Sequence, residues 1–406
     1  MKTIRKTDIL VPADCDFSKW SVVACDQFTS ERKYWKDLEN YVGDAPSTLK
    51  LVFPEVYLED ADKQERIDKI NRTMQEYVDE GVFKTLKDSF VLVKRTTASG
   101  VSRLGVVLAV DLEDYCFTHP SHANIRSTEG VVLDRIPPRL KIRENAPVEL
   151  PHIMLLIDDR KKSVIERLWQ ERDENEKIYD FDLNMGGGHL LGYRVDAQKV
   201  IDLFDEYERS VQNLYGTGNN DFIFAVGDGN HSLATAQAHW NRTKEGLTDA
   251  QKAVHPARFA LCEVENLHDE GIVFEPIHRF VFGVGEDFVP YMQKALSGEK
   301  EIVAFDKNAE YKLHVDKIGA KAIKDVQDAI DAYIKEHSDC VVDYIHGIEH
   351  LKDVAAHNDG VAIVMPKIEK EELFGYVLKN GTLCRKAFSM GEAEEKRYYF
   401  EAKRIK

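Results

Sequence analysis

The stretch Phe222-Ile223-Phe224-Ala225-Val226-Gly227-Asp228-Gly229-Asn230-His231-Ser232-Leu233-Ala234-Thr235-Ala236 decides how the rest of the chain is read. Phe222 to Val226 is an apolar run of strand character. It stops at Gly-Asp-Gly, and small residues suited to a helix follow. A strand that turns sharply into a helix leaves the helix's first N–H groups unpaired at the positive end of its dipole, where they attract anions. Two glycines let a ligand approach the backbone closely. The turn is therefore expected to bind phosphate through Gly227, Gly229, Asn230, Ser232 and Thr235. Asp228 and His231 stand as catalytic candidates, and Asp228 also as a magnesium ligand. The alternative is a tight turn in which Asn230 or Asp228 caps the helix and nothing binds.

Helical spacing puts Leu233, Ala236 and Trp240 toward the core, and His231, Thr235 and His239 on another face. His231 and His239 are two turns apart, too far to share one ion. A magnesium held mainly by phosphate oxygens with one or two carboxylates is easier to accommodate. No Lys follows the glycines, so the turn is not a Walker loop. No G-x-S-x-G frame is present either.

The chain has 406 residues, 43% of them hydrophobic, enough for a large core and more than one domain. Its formal net charge of −16 argues against a broad nucleic-acid or anionic-membrane surface. Arg126, Arg135, Arg139, Lys141 and Arg143 can still form a local basic pocket. No apolar segment of signal or membrane length appears. The six cysteines form no C-x-x-C pair and no zinc spacing. Cys25 lies beside Asp26, with no neighbour in sequence that would activate its thiol. A soluble, reduced, cytoplasmic protein is expected.

Patterning predicts a short helix after Thr29-Ser30-Glu31, with Ser30 as its cap, and a longer one over 62–83 closed by Gly81. Strands are expected over 89–95 and 103–112 around Ala98-Ser99-Gly100, a hairpin signal. Further strands are expected over 153–157, 189–195 and 257–264, with helices over 159–172 and 196–214. Beyond about residue 282, helices are expected over 286–296, 320–336 and 369–379, with strands near 301–305, 340–345 and 360–365. Alternating strands and helices indicate a mixed α/β protein. The expected division is 1–285, an α/β domain carrying the motif, and 286–406, a smaller α/β domain packing against it.

Three other constellations carry chemistry. Arg126, Thr128 and Glu129, followed by Asp134 and several arginines, can bind a phosphate and supply a carboxylate base; a solvated surface segment fits the same pattern. His278 and Arg279 end an apolar stretch after Asn266-Leu267-His268-Asp269-Glu270-Gly271 and can enter a cleft, or simply be satisfied within the core. Arg385 and Lys386 can close over an anion, or end a structural strand.

Together these blocks resemble the uncharacterised bacterial family numbered 1015 among domains of unknown function. Gly227–Ala236 is similar to its Asp-Gly-His-His-Arg-Tyr-x-Thr-Ala element, and residues 125–158, 266–279 and 385–398 resemble three further blocks in the same order. More remotely, the turn is similar in shape to that of the ParB/sulfiredoxin-like superfamily, which includes partition proteins, ATP-using sulfiredoxins and free-serine kinases. That resemblance implies a ParB/sulfiredoxin-like core with extra strands and helices, and nucleotide phosphates at the helix start. Asn230 stands where the first family has His. Ser232 stands where it has Arg, which removes a bidentate phosphate contact that Arg126, Arg279 or Arg385 can replace.

The expected function is binding of a nucleotide or phosphorylated small molecule, with transfer of phosphate to a small hydroxyl compound. ATP or another nucleotide with magnesium is the implied cofactor. Catalysis would fall to Asp228, His231 and a base, Glu129 or Asp26. Binding would fall to Gly227, Gly229, Asn230, Ser232, Thr235, Arg126, Thr128, His278, Arg279 and Arg385. The competing readings are a sensor of a nucleotide or metabolite without turnover, and a hydrolase using Asp228 and His231. The expected partner is a small molecule, not nucleic acid or membrane. Oligomeric state stays open, a homodimer included.

Overall fold

In the computed structural model, residues 2–211 and 222–406 are described. They divide into two compact units, Met1–Ile272 with Glu392–Lys406, and Val273–Gly391. Both are mixtures of strands and helices, as the alternating pattern predicts. Among the described residues no helix is long and apolar enough to cross a membrane.

The first unit is built on a ten-stranded mixed sheet. Its strands run Lys177–Leu183, Gly188–Asp196, Ser89–Thr96, Ser102–Asp111, Phe259–Asn266, Met154–Ile157, Phe224–Asp228, Ile125–Ser127 and Tyr115–Cys116, with Ile4–Arg5 beside Ser102–Asp111. The expected hairpin forms, antiparallel from Val91↔Val107 to Thr96↔Ser102. Phe259–Asn266 lies buried along its whole length, as a central strand with both faces covered must.

The motif strand Phe224–Asp228 is flanked by Ile125–Ser127, parallel, and Met154–Ile157, antiparallel. The registers Val226↔Ser127 and Asp228↔Met154 fix what surrounds its exit. One neighbouring strand leaves the sheet there through Thr128 and Glu129, and the other enters through His152 and Ile153. The motif helix Asn230–Thr243 then packs Leu233, Ala236 and Trp240 into the core, each at most 1% exposed. Thr235 and His239, on the second face, are also buried.

The helix Lys63–Asp79 lies within the expected span, and Gly81 follows it at φ +73. The predicted helix over 196–214 is seen as Ala197–Val211; residues 212–214 lie outside the described residues. Three local expectations need correction. The helix after Ser30 starts at Arg32 with Glu31 at its N-cap and no side-chain cap. The helix expected over 159–172 shrinks to Ile165–Gln170, because the Asp159 carboxylate takes the amides of Ser163 and Val164 into a turn and Lys162 sits at φ +54. The motif helix is capped by neither Asn230 nor Asp228: its N-cap is Gly229, with no side-chain hydrogen bond.

The second unit holds an antiparallel sheet ordered Glu310–Val315, Lys300–Phe305, Gly360–Ile363, Glu275–Phe282 and Val341–His346, with Phe388–Ser389 on the start of Glu275–Phe282. Its helices Phe288–Ala295, Ala320–Glu336 and Lys370–Asn380 fall where the spacing predicts them. The strands Glu275–Phe282 and Glu310–Val315 and the helix Ile348–His357 are not among the elements the patterning predicts.

Candidate functional site

Gly229 turns the chain at φ +78, the left-handed region that favours glycine. A Cβ there would also meet the Ile153 Cα at 3.0 Å. The turn is tight for both reasons, and the Gly229 amide folds back to donate to Asp228 Oδ1 at 2.8 Å. The other Asp228 oxygen faces Lys396 Nζ at 3.4 Å. Asn230 is buried, and its Oδ1 has no hydrogen-bond partner among the described residues.

One turn into the helix, Ser232 reaches His152, Oγ to Nε2, at 3.2 Å. The same Nε2 lies 3.3 Å from Asp26 Oδ2, while His152 Nδ1 lies 2.9 Å from the Tyr399 hydroxyl. The segment carrying Asp26 is held in place by the returning C-terminus. Val23 bridges to Tyr398, the Ala24 amide donates to the Arg397 carbonyl, and the Cys25 amide donates to the Tyr399 hydroxyl at 3.1 Å. Burial alone would push the His152 imidazole down; the charge and hydrogen bond of Asp26 outweigh it, Asp228 and Glu55 add to them, and His152 titrates above the usual histidine range. Burial likewise pushes the Asp26 carboxyl up, but His152, the Gln27 amide and Lys396 outweigh it and hold the group well below the usual carboxylate range. The pair therefore favours its imidazolium–carboxylate form. This is not a nucleophile triad: Ser232 and Asp26 meet the same ring nitrogen, whereas a triad needs them on opposite ones.

His231 points elsewhere. Its Nε2 accepts the Val132 amide at 3.1 Å. Burial first, then the charges of Arg135 and Arg139, push it down to about 4, so it is neutral at pH 7. Burial likewise pushes the Cys25 thiol up to about 12, which makes it inert.

Beside this polar cluster lies a cavity of about 150 Å³ between the motif helix and the helix Ile136–Arg143. Much of its wall is apolar, with Val52, Phe53, Met74, Ile142, Val148 and Leu150 among the lining residues. Polar atoms come from His152, Ser232, Thr235, Tyr399 and two ion pairs, Arg139–Glu55 and Arg143–Glu149.

The residues singled out from sequence thus separate. Gly227, Asp228, Gly229, Asn230, Ser232, Thr128 and Glu129 share one end of the sheet. Ser232 and Thr235 line the cavity, while Asp228, His231 and Glu129 do not. Thr128 stitches two strands, its hydroxyl donating to the Val226 carbonyl at 2.6 Å, and Thr235 donates to the His231 carbonyl. Arg126 is buried, donating to the Ala123 carbonyl and lying 4.9 Å over the Phe222 ring.

His278, Arg279 and Arg385 belong to the second unit. There His278 Nδ1 accepts the Met365 amide. Arg279 is fully buried and spends its donors on Gln327 and on the carbonyls of Ile277, Arg385 and Lys386. Arg385 grips Asp331 with both terminal nitrogens. All three lie in the second unit, while the motif turn lies in the first.

His152, Tyr399, Lys396 and Glu55 were missed. The one local signal was a histidine placed directly before the apolar run 153–157. Among the described residues no group of three or more His, Cys, Asp or Glu is placed to hold a metal.

With this geometry in hand, comparison with known proteins places the chain. Residues 10–382 match DUF1015, described as a protein of unknown function, and the chain belongs to that family. Comparison with curated proteins returns no match. Among solved structures, the chain is similar to a free serine kinase in complex with AMP, at 10% identity and a TM-score of 0.40, over 74% of this chain and 92% of that one. It is also similar to a conserved hypothetical protein from Pyrococcus furiosus, at 10% identity and 0.34, over 72% and 90%. A third is SbnI with C-terminal truncation from Staphylococcus aureus, at 11% identity and 0.37, over 70% and 83%. None of these likenesses assigns a role to a residue of this chain.

Proposed function

We propose that this protein binds the phosphates of a nucleoside triphosphate at the start of the motif helix and transfers the terminal phosphoryl group to a small hydroxyl compound. The observation that carries this reading is a helix N-terminus with no side-chain cap, next to the ionised Asp26–His152 pair. The nearby charges cancel in pairs: Asp228 with Lys396, Asp26 with His152, Glu55 with Arg139. With those charges paired, the positive end of the helix suits an anion.

Asp26 is the base in this reading. The acceptor's hydroxyl proton passes to its carboxylate as the acceptor oxygen forms a bond to phosphorus. The bond from that phosphorus to the bridging oxygen breaks, and the nucleoside diphosphate leaves with the electron pair. His152 orients Asp26 and keeps it ionised. Magnesium arriving with the phosphates would be held mainly by their oxygens and by Asp228, and would neutralise their charge. His231 has no acid–base part, because its Nε2 is taken by Val132 and it stays neutral. The hydrolytic alternative through Asp228 and His231 loses its acid–base partner on the same ground.

The test is a thermal-shift series with ATP, CTP, GTP and sugar phosphates, each with and without magnesium. A ligand at about 100 times its dissociation constant stabilises the fold by roughly 2.7 kcal/mol. Phosphorus NMR of the products then reads turnover. Asp26→Asn is expected to cut turnover by roughly 100- to 10,000-fold with nucleotide binding retained. If no nucleotide or phosphate raises the melting temperature at millimolar concentration, the proposal is wrong. Binding without turnover would make the protein a sensor.

A further inference from the structure

The cavity beside the Asp26–His152 pair bears on which hydroxyl compound is phosphorylated. Resting on the phosphotransfer reading, we infer that the acceptor is an alcohol with an apolar body, an aromatic ring or a branched aliphatic group, seated between the motif helix and the helix Ile136–Arg143.

Size, wall and polarity agree. The cavity holds about 150 Å³. An apolar protein cavity of about that volume takes up benzene. Val52, Phe53, Met74, Ile142 and Val148 supply apolar wall from four separate stretches of chain. The charged side chains in the wall are committed to one another, Arg139 to Glu55 and Arg143 to Glu149. The Thr235 hydroxyl is committed to the His231 carbonyl. An acceptor bearing its own ammonium and carboxylate, such as a free amino acid, would bury those charges against carbon or break the pairs, and both are costly.

The wall has a polar corner where His152, Ser232 and Tyr399 come together, and the buried Arg143 Nε, with no hydrogen-bond partner among the described residues, adds a donor. Asp26 lies against His152 Nε2, the nitrogen that Ser232 also meets. An apolar alcohol fits this polarity end to end: its ring or branch against the aliphatic wall, its oxygen toward the base.

Calorimetric titration of the full chain with benzyl alcohol, 3-methylbutan-1-ol, ethylene glycol and L-serine tests the assignment. Benzyl alcohol or 3-methylbutan-1-ol is expected to bind at least about tenfold more tightly than either polar compound, since a single methylene in an apolar pocket is worth about tenfold or more. Ala146 is buried and also lines the cavity, so Ala146→Leu adds bulk to the wall and is expected to weaken the apolar alcohols at least tenfold while leaving ATP binding unchanged. Val148→Leu serves the same purpose if circular dichroism shows the first variant unfolded. Equal affinity for the polar and apolar compounds, or a wall variant that binds benzyl alcohol as before, overturns the inference. The two proposals fail separately: ATP binding without alcohol binding removes only the acceptor class, and alcohol binding without any nucleotide binding removes the phosphotransfer.

Discussion

Replacing Asp26 by asparagine removes one charge from the pair at the centre of the site and leaves its shape. At 3.3 Å and an effective dielectric of about 20, the Coulomb attraction between the Asp26 carboxylate and the His152 imidazolium is about 5 kcal/mol. Burying the ring takes part of this back, and Asp26 is 27% exposed, so solvent screens more of it. A net loss of about 2 kcal/mol at pH 6 is expected. Its pH dependence is the sharper test. His152 titrates higher in the folded protein than its ordinary 6.5, so its share of stability is complete below pH 6.5 and disappears as pH rises through the folded value. Asp26 is depressed from 3.8, so its share is present above that pH and is lost as pH falls through the folded value. Between these limits both shares are present. The Asp26→Asn penalty, measured by urea unfolding, should therefore be largest near pH 6 and shrink as pH rises through the folded His152 titration. Imidazole NMR should show the His152 titration falling in the variant, because burial is then opposed only by the weaker effects of Asp228 and Glu55. An equal penalty at pH 6 and pH 9, or an unmoved His152 titration, refutes the reasoning.

Gly229→Ala should cost at least about 1–2 kcal/mol in thermal or urea unfolding, because the new side chain must adopt a left-handed backbone and press on Ile153. Arg397→Leu should destabilise by about 3–5 kcal/mol, because it strips the buried carboxylates of Glu263 and Glu401 of their cation; adding Glu263→Gln and Glu401→Gln should recover part of that loss. Leu233→Ala, at a fully buried position of the motif helix, should cost about 2–5 kcal/mol, read as a lower urea midpoint at unchanged slope.

Where sequence and structure agree, the interactions are local. The helix Ala320–Glu336 is legible because its buried residues Ile323, Val326, Ile330 and Tyr333 recur at helical spacing. The hairpin from Ser89 to Asp111 is legible because a turn signal separates two apolar runs. The strand Lys177–Leu183 is not legible in the same way: it forms the sheet's edge, three of its seven residues are exposed, and its pattern is correspondingly polar. The helix expected over 159–172 was shortened by one carboxylate that captured two amides, a competition that composition does not reveal.

The sequence by itself determined the strand, the sharp glycine turn and the helix of the motif, since backbone sterics and periodicity act over a few residues. Only the tertiary structure decided what faces that turn. Asp26 comes from near the N-terminus, His152 from the mouth of the neighbouring strand, and Lys396 and Tyr399 from the last residues of the chain. Pairing such as His152 with Tyr399, 247 positions apart, is set by sheet register and chain return, and it leaves no periodic trace in either segment. The same distance explains Arg279 and Arg385, which look in sequence like free cations near an apolar stretch. Folded, Arg279 donates to Gln327 and to backbone carbonyls and Arg385 pairs with Asp331, because a charge drawn out of water finds partners wherever the chain brings them.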